Sequence, residues 1–472
     1  MPSQTSRTWS PTGTQRAHLI GIAGAGMRSL AQVLLGRGWK LSGSDLVAGQ
    51  VQFLADAGVR VHQGHAAEHL SEGTELVVFS DAVPADNPER QRAAELGIRS
   101  FSYFEFLGQL MSQCRGIAVA GTHGKSTTVA MAAEILAGAG LDPTVVYGAS
   151  LVGSPCGGRA GQGEVMLVEA CEYRANFLHL PPQQAVVLGI EPDHFDYYRS
   201  QAQLERAFAA LAARVANGGL LLAFADCPVT CRIAAGLQCR VETFGSSPEA
   251  DWSAGEVEGQ QGRYRFSIAR RGKHLGDVRL RIPGRHNVTN ALAAAAIALA
   301  SGVPGEEVCR GLSDFRGLAR RLQPVGNWRG VAFVDDYAHH PTEVAAGLRA
   351  VREMYPGRRL WCVFQPHQAS RTEVLLDELA ASLQNADRVV VAEVFRAREG
   401  DYRPGEVTAA DLGRQVARGG VEVPQVHTAQ EIVRLLETRL EPGDVVVTMG
   451  AGDIGKVRDG LVERIREDRA AG

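Results

Sequence analysis

The chain has 472 residues, of which 45% are hydrophobic and 21% charged, and it carries a formal net charge of −3 at pH 7. This composition is typical of an ordinary globular protein, and the length predicts about three domains. The small net charge provides no global basic field, so nucleic acid and anionic membranes are not expected as principal partners. The eight scattered cysteines favour reduced thiols over a disulfide framework or a zinc ribbon.

The N-terminal stretch "MPSQTSRTWSPTGTQRA" is polar and lacks the apolar region of a secretory signal. Further along the sequence, no charge-free run approaches the length of about eighteen apolar residues that a membrane-spanning helix needs. We therefore expect a cytoplasmic protein without membrane insertion.

The first predicted unit opens with a strand, a glycine turn, a helix and a second strand over "AHLIGIAGAGMRSLAQVLLGRGWKLSGSD". Gly24 and Gly26 supply the tight turn, and Asp45 follows about twenty residues later, as in a dinucleotide-binding half. Ser29 stands where that motif has its third glycine. Plain packing of a strand against a helix explains such a pattern about equally well, so this signal alone is weak.

Two apolar runs, "ELVVFSDAV" and "IRSFSYFEF", are predicted to continue the first unit as strands. Strands that alternate with helical patterns predict a parallel sheet. We therefore expect a first domain over residues 1–112.

The second unit begins with "IAVAGTHGKSTTVAMAAEIL", an apolar strand followed by a Gly/Lys/Ser turn and an alanine-rich helix. Backbone N–H groups and the positive end of the helix dipole make such a turn a phosphate cradle, with Lys125 beside them. The full P-loop has a glycine five residues before the Gly-Lys pair, where this chain has Val119, so only Gly124-Lys125-Ser126 is present. An ordinary strand-helix turn would gain little from a lysine there. The sequence therefore predicts a short phosphate-binding loop.

Polar residues end two later strands of this unit: Glu169 closes "EVMLVE", and "EPDH", which ends at His194, follows "VVLGI". Ligands of parallel sheets lie beyond the carboxyl ends of the strands, so these residues are expected near Ser126. Hydroxyl and carboxylate oxygens suit Mg²⁺, while histidine is a less usual ligand. A structural histidine is the alternative for His194.

An antiparallel hairpin is predicted over "GRYRFSIARRGKHLGDVRLRIPG", and the helix "HNVTNALAAAAIALA" follows it. Asn287 and Asn290 lie three apart on one face of that helix, where two amides can pair with the edge of a base. Helix capping is the alternative, and it would account for one asparagine but not both.

The third unit again alternates strands with helices and carries two polar clusters, "VDDYAHHPTE" and "FQPHQASRT", at strand ends. These clusters predict a second binding surface; a zinc site competes, but no cysteine stands at ligand spacing nearby. The predicted fold class is α/β with three consecutive domains: a Rossmann-like N-terminal domain, a P-loop-type central domain (113–317) and a Rossmann-like C-terminal domain (318–472).

The order of these motifs resembles the Mur ligases of bacterial cell-wall synthesis, most closely the members that add L-alanine to UDP-N-acetylmuramic acid. The resemblance covers nearly the whole chain and rests on "GIAGAGM", "SGSD", "GTHGKSTT", "EACEYRANFLHL", "IEPDH", "PGRHNVTNALAA", "FRGLARR", "VDDYAHHPTE", "FQPH" and "GAGDIG". The sequence departs from the family pattern at Ser126, usually threonine, at Cys171 and Tyr173 in a segment often written E-A-D-E-S, and at Gln368, commonly arginine.

The resemblance implies an ATP-dependent, Mg²⁺-requiring ligase of peptidoglycan precursor synthesis, monomeric or weakly dimeric. ATP would phosphorylate the lactyl carboxylate of UDP-N-acetylmuramic acid, and the amine of L-alanine would displace phosphate to form an amide. A recycling ligase that attaches a tripeptide to the same sugar is the near alternative. An NAD-dependent oxidoreductase would leave Lys125, Glu169 and the asparagine pair unexplained, and a P-loop switch protein would leave the strand-end clusters of the third unit unexplained.

The same resemblance assigns residues to roles. Catalysis is expected from Lys125, Glu169, His194 and Arg321, and the metal is expected on Ser126, Glu169 and His194. ATP is expected on Gly121, Thr122, His123, Gly124, Lys125, Ser126, Thr127, Asn287, Asn290, Arg321 and Asp336. The UDP-sugar is expected on Gly24, Ala25, Gly26, Met27, Ser44, Asp45 and Ser80, and the amino acid and sugar on Tyr337, His339, His367 and Arg371.

Several relatives that add later amino acids use a carbamylated lysine shortly after the Asp-His of the metal edge. In this chain, the segment "SQAQLERAFAALAARVA" that follows His194 contains no lysine. Arginine cannot replace it, because its guanidinium stays protonated and forms no stable carbamate. We expect activity that does not depend on CO₂.

Overall fold

The computed structural model describes residues 15–47, 51–397, 399–400 and 402–471. Most of the polar N-terminal stretch, on which the expectation of no secretory signal rests, lies outside these residues. Within them, every helix is too short or too polar to cross a membrane. Three sheets follow one another along the chain, so the prediction of three consecutive α/β domains is confirmed.

The N-terminal domain is built on a parallel sheet. In the described residues its strands are β1 (Arg16–Ile20), β2 (Lys40–Asp45), β3 (Arg60–Gln63), β4 (Leu76–Phe79) and β5 (Arg99–Ser102). They lie in the order β3-β2-β1-β4-β5, the arrangement of a Rossmann half, whose ligands bind where the strand order reverses. Its helices are α1 (Ala25–Gly36), α2 (Gln52–Asp56), α3 (Pro88–Glu95) and α4 (Tyr103–Met111).

One predicted strand of this domain is wrong in its second half. The run "IRSFSYFEF" forms β5 only as far as Ser102, where α4 begins. The Ser102 side chain accepts a hydrogen bond from the Glu105 N–H, and the Glu105 carboxylate accepts one from the Ser102 N–H at 2.7 Å. This reciprocal capping box starts a helix, and Phe104 and Phe106 are buried on it.

The central domain contains the longest sheet of the described chain. Its strands are β6 (Arg115–Ala120), β7 (Thr144–Tyr147), β8 (Gly157–Arg159), β9 (Val165–Glu169), β10 (Gln184–Val187), β11 (Leu220–Phe224), β12 (Arg240–Gly245), β13 (Trp252–Gln260), β14 (Arg263–Arg270) and β15 (Lys273–Arg279). The order is β15-β14-β13-β12-β11-β10-β6-β9-β7-β8. Strands β14 and β15 pair antiparallel, so the predicted hairpin is confirmed. The helices are α5 (Lys125–Gly138), α6 (Gln201–Ala213), α7 (Pro228–Ala234), α8 (His286–Ala300) and α9 (Gly305–Asp314).

The C-terminal domain has strands β16 (Gln323–Trp328), β17 (Val331–Asp336), β18 (Leu360–Phe364), β19 (Arg388–Val391) and β20 (Val445–Met449). They lie in the order β16-β17-β20-β18-β19, with β16 antiparallel to β17 and the other pairs parallel. The helices are α10 (Pro341–Met354), α11 (Ala369–Val374), α12 (Leu376–Leu383), α13 (Ala409–Arg418), α14 (Ala429–Arg439) and α15 (Gly455–Ala471).

The hydrophobic cores divide the molecule unequally. One continuous core runs from the N-terminal sheet, through residues such as Leu19 and Phe106, to Phe177 and Phe208 of the central domain. A second core covers the other face of the central sheet. Among the described residues, the buried members of the two C-terminal cores all come from the C-terminal domain itself. The first two domains therefore share one core, whereas the central domain contributes only the partly buried Phe195 to the C-terminal cores of the described residues.

Candidate active site

The predicted phosphate loop lies between β6 and α5. Gly121 and Gly124 have φ angles of +135° and +81°, in the region that favours glycine. A Cβ on Gly121 would lie 2.6 Å from the Cβ of Leu188, and one on Gly124 would overlap Oδ1 of Asn290. No side chain caps the first N–H groups of α5. The loop therefore presents a helix N-terminus of the kind that binds phosphate.

Lys125 folds back over this loop. Its Nζ donates to the carbonyl oxygens of Gly121 at 2.5 Å and Thr122 at 3.0 Å, and it lies 2.9 Å from Oε2 of Glu172. Burial alone would lower the pKa of Lys125, but the attraction of Glu172 outweighs it, and the pKa is raised. Lys125 is therefore a fixed cation beside the helix N-terminus.

Two of the three residues predicted to bind the metal, Ser126 and Glu169, are in direct contact. The Ser126 hydroxyl lies 2.9 Å from both carboxylate oxygens of Glu169, and Glu169 also accepts a hydrogen bond from the Gly148 N–H at 2.8 Å. These adjacent oxygens fit a hard ion such as Mg²⁺. His194 is joined to the site through another residue, because its Nε2 lies 3.4 Å from Oε1 of the buried Glu172.

A cavity of about 570 Å³ opens beside this edge and is shared by all three domains. Ala25 and Arg28 line it from the N-terminal domain, and Ser126 and Glu169 from the central domain. The C-terminal domain contributes a group that includes Arg320, Arg321, Tyr337, Phe395 and Asp453. A cavity shared in this way suits a large substrate held by several domains at once.

A smaller cavity of about 250 Å³ lies on the other side of the phosphate loop and has an apolar lining that includes Leu188 and Phe224. Asn287 and Asn290 line it too, and Nδ2 of Asn290 donates to Oδ1 of Asn287 at 3.0 Å. Neither asparagine caps α8, because Arg285 occupies the capping position. The capping alternative is therefore wrong, and the role of the pair as a base contact stays a prediction.

Arg321 lines both cavities, so its guanidinium lies at the passage between them. Asp336 lines the smaller cavity, and burial raises its pKa to about 7 although Arg321 lowers it. His286 also lines this cavity, and burial, followed by the charge of Arg321, lowers its pKa to about 4. The passage therefore combines a cation, a neutral imidazole and a carboxyl group that titrates near neutrality.

His123 lies on the phosphate loop at the interface with the C-terminal domain. Its Nδ1 is 3.1 Å from Oε1 of Glu343, and its Nε2 is 3.5 Å from Oε2 of Glu191. Burial alone would lower the pKa of His123, but Glu343 and Glu191 raise it to about 9. His123 therefore connects the phosphate loop to α10, the helix of the C-terminal domain that carries Glu343.

In the N-terminal domain, Oδ2 of Asp45 accepts a hydrogen bond from the Ala23 N–H at 2.9 Å, which fixes the glycine turn. A Cβ on Gly26 would lie 2.8 Å from the outer end of the Tyr103 ring, so a larger residue here would displace that side chain. Ser44 is buried, and its hydroxyl donates to Glu89 at 2.5 Å. Of the remaining residues predicted to hold the UDP-sugar, Ala25 lines the large cavity, Met27 is buried, Gly24 caps α1, and Ser80 follows β4.

Ser29, at the position of the missing third glycine, joins two domains. Its hydroxyl donates to the carbonyl oxygen of Tyr147 at 2.7 Å and accepts a hydrogen bond from the Gly157 N–H at 3.2 Å. Both partners belong to the central domain. The departure from the dinucleotide motif therefore has a structural role at the interface.

Of the four residues predicted to contact the amino acid and sugar, only one lines the large cavity among the described residues. Tyr337 lines the large cavity, whereas His339 has its pKa lowered to about 4 by burial. Arg371 is only 3% exposed, and its Nε and Nη2 lie 2.8 and 2.7 Å from Oδ1 of Asp193 in the central domain. Nδ1 of His367 lies 2.8 Å from Nη1 of Arg371. Arg371 therefore joins the two domains, and its role as a substrate contact stays a prediction.

Sequence reasoning missed three functional candidates: Arg28, Glu172 and Glu343. Glu172 was recognisable as a second acid three residues after Glu169, directly beyond the strand end. Glu343 lies one helical turn after His339. Arg28 lines the cavity shared by all three domains, which no local pattern encodes.

The fold and site together define a three-domain nucleotide-binding protein with a phosphate loop in the central domain and a substrate cavity shared by all three domains. Family models match this division: "Mur ligase family, catalytic domain" over residues 16–115, "Mur ligase middle domain" over 119–298, and "Mur ligase, glutamate ligase domain" over 320–452. The chain belongs to the Mur ligase family.

Individual relatives agree with this result. A UDP-N-acetylmuramate–L-alanine ligase from Clostridium novyi is 38% identical over 95% of this chain and 97% of its own. The protein of the same name from Desulfitobacterium hafniense is 41% identical over 94% and 99%. The crystal structure of the UDP-N-acetylmuramate-alanine ligase from Thermotoga maritima matches with a TM-score of 0.80 at 25% identity, covering 96% of this chain and 99% of that one. A murein peptide ligase from Psychrobacter arcticus matches with 0.70 at 25% identity, covering 95% and 98%.

Proposed function

We propose that this protein joins L-alanine to the lactyl carboxylate of UDP-N-acetylmuramic acid, driven by ATP, in the cytoplasmic synthesis of peptidoglycan precursors. Relatives that carry the corresponding name match almost the whole chain. The observation that carries the proposal is the large cavity, into which the Ser126–Glu169 edge and residues of both outer domains converge. A reaction of three substrates needs such a shared space.

ATP is assigned to the phosphate loop and the smaller cavity. The phosphates would meet the N–H groups at the start of α5 and the Lys125 ammonium. The base would enter the apolar cavity, where the amides of Asn287 and Asn290 offer donors and an acceptor to its edge. Arg321 would then lie beside the transferring phosphoryl group, and its position in the lining of both cavities supports this role.

Ser126 and Glu169 would hold Mg²⁺, and His194 would complete the edge after a shift away from Glu172. The ion, when bound, neutralises charge on the β- and γ-phosphates. The Lys125 ammonium would exchange its contact with Glu172 for the phosphates and stabilise the charge that develops during transfer.

Two bond exchanges complete the reaction. The lactyl carboxylate oxygen attacks the γ-phosphorus, and the bond between this phosphorus and the oxygen that bridges it to the β-phosphate breaks. The products are ADP and an acyl phosphate. The neutral amine of alanine then attacks the acyl carbon, phosphate leaves with the C–O oxygen, and the nitrogen loses a proton to give the amide. Positioning by the three domains supplies most of the rate enhancement, because each step joins two bound reactants.

The test is a reaction with ATP and UDP-N-acetylmuramate against a panel of free amino acids and the L-alanyl-γ-D-glutamyl-meso-diaminopimelate tripeptide. We expect phosphate release with L-alanine as the preferred acceptor. Preference for the tripeptide would favour the recycling ligase, and hydride transfer or amine-independent ATP hydrolysis would contradict both ligase proposals.

Lys125→Ala should abolish acyl-phosphate formation and leave UDP-sugar affinity within a few-fold, because the UDP-sugar is assigned to the N-terminal domain. Lys273→Ala is the matched control, since Lys273 is exposed at the start of β15. A comparable loss of UDP-sugar affinity in Lys125→Ala, measured by calorimetry, would show that the two ligands share a subsite.

A further inference from the structure

Three side chains with nitrogen or oxygen donors meet at the interface of the central and C-terminal domains. His123 comes from the phosphate loop, Glu191 follows β10, and His340 precedes α10. One potential ligand atom from each lies within 4.8 Å of the other two. Oε2 of Glu191 is 3.5 Å from Nε2 of His123 and 3.7 Å from Nδ1 of His340. Donor atoms around a tetrahedral ion with bonds of about 2.1 Å are separated by about 3.4 Å.

The second nitrogen of each imidazole has a partner of its own. Nδ1 of His123 lies 3.1 Å from Oε1 of Glu343, and Nε2 of His340 lies 3.2 Å from the carbonyl oxygen of Pro192. Histidines that bind metals usually donate their other N–H to a carboxylate or a backbone carbonyl, which fixes the tautomer. In the neutral imidazoles that a metal requires, these partners leave Nε2 of His123 and Nδ1 of His340 as the acceptor nitrogens, and each lies within 4 Å of Oε2 of Glu191.

Among the described residues, neither of the two nitrogens that face Glu191 has a short hydrogen-bond partner. Nε2 of His123 is buried and makes no hydrogen bond with any residue that the structure describes. The Thr342 N–H approaches Nδ1 of His340 at 3.4 Å, which is long for a hydrogen bond. Oε2 of Glu191 lies 3.5 Å from Nε2 of His123, and an acceptor nitrogen that faces a carboxylate oxygen needs a proton or another cation between the two atoms.

We propose that His123, Glu191 and His340 bind a transition-metal dication of the zinc, cobalt or nickel class. Two imidazoles and one carboxylate suit these ions, whereas Mg²⁺ prefers oxygen donors throughout, as at Ser126 and Glu169. Three protein ligands leave a fourth position for water. The site is therefore chemically distinct from the magnesium edge and involves different residues.

The site lies between two domains, so a bound ion would affect how the two domains are held together. His123 and Glu191 belong to the central domain and His340 to the C-terminal domain, and the first two residues also line the smaller cavity. An ion on all three would hold the C-terminal domain closed over that cavity. The competing interpretation is a metal-free ion pair, in which a protonated His123 lies between Glu191 and Glu343.

The test is a titration of the full, metal-stripped protein with Co²⁺ in saturating Mg²⁺, followed by visible absorption. Mg²⁺ occupies oxygen sites, and the intense visible bands of Co²⁺ report a tetrahedral site, which an octahedral set of oxygen ligands does not give. We expect one equivalent to bind in this geometry and Zn²⁺ to displace it. A metal-free ion pair would give no tetrahedral spectrum, and that result would overturn the proposal.

Two variants locate the ion. His340→Asn removes the imidazole but keeps a side chain that caps α10 well, and Glu191→Gln removes the charge with little change of shape. Each should weaken Co²⁺ binding by at least about tenfold, as losses around metal sites commonly do. His274→Asn is the control, because His274 is an exposed histidine that pairs with Asp277 on the central sheet. Unchanged affinity in both ligand variants would place the ion elsewhere and refute the assignment.

Discussion

Replacing Gly124 with alanine tests the phosphate loop and the smaller cavity as one unit. Gly124 has a φ of +81°, and a Cβ there would overlap Oδ1 of Asn290. The left-handed backbone costs an alanine roughly 1–2 kcal/mol. Asn290 must also move, which breaks its 3.0 Å hydrogen bond to Asn287 and costs about 1 kcal/mol more. The native geometry therefore becomes about 2–3 kcal/mol less favourable.

Without nucleotide, the loop of the Gly124→Ala variant can relax and avoid this cost. Nucleotide binding restores the native geometry, so the cost then reduces the free energy of binding. Because 1.4 kcal/mol corresponds to a tenfold change, we expect ADP affinity to fall by up to about 100-fold. Titration calorimetry with ADP and Mg²⁺ measures the change directly. UDP-N-acetylmuramate affinity should remain within about threefold, since its assigned site is on another domain.

Gly138→Ala is the matched control at the other end of α5. A Cβ there meets nothing within 4 Å, and the position has no positive φ. Alanine should therefore leave nucleotide affinity unchanged and stabilise the helix by about 0.4–1 kcal/mol. Wild-type ADP affinity in the Gly124→Ala variant would refute the assignment of nucleotide to this loop.

Three other perturbations test separate parts of the molecule. Arg371→Met leaves Asp193 buried without its partner and should destabilise the closed arrangement by about 3–5 kcal/mol. Adding Asp193→Asn should restore part of the loss, and additive losses in thermal unfolding would contradict this coupling. Burial alone would raise the pKa of Glu89, but the neighbouring His18 and hydrogen bonds to Ser44 and His69 lower it from 4.5 to about 2. Its contribution of about 3 kcal/mol is therefore full above pH 4.5 and lost as the pH falls towards 2, so Glu89→Gln should flatten the acid limb of the stability curve; an unchanged slope would contradict this. Turnover should be equal in degassed buffer with and without bicarbonate, and reversible activation by bicarbonate would contradict the interpretation of the metal edge.

The convergence of the strand ends was predictable from the sequence. Ser126 and Glu169 follow strands β6 and β9, which are neighbours in a parallel sheet, so their side chains were expected at one edge and lie 2.9 Å apart. The pairing of Asn287 with Asn290 follows from helical spacing in the same way. Local periodicity encodes both results, because each depends on one element or on two adjacent strands. The roles of these residues as metal and base contacts stay predictions.

Contacts between domains were not predictable from periodicity. Arg371 and Asp193 are 178 positions apart, and Ser29 and Tyr147 are 118 apart, so their proximity depends on how finished domains dock. The helix that begins after Ser102 had a local signal, the serine and glutamate of a capping box. Aromatic and apolar residues around that signal read equally well as a strand, and the two patterns cannot be separated over so short a run.

The distribution of apolar and polar contacts identifies which domain can move. The N-terminal and central domains share one hydrophobic core, and separating them would expose that surface to water. The C-terminal domain instead meets the central domain through polar pairs, including Arg371 with Asp193, Thr342 with Glu191 and His123 with Glu343. Water can replace such partners, so the net free energy of each pair is small while it is intact. We therefore expect closure of the C-terminal domain to be the reversible step, because Arg321 and Tyr337 of that domain line the cavity shared with the other two domains.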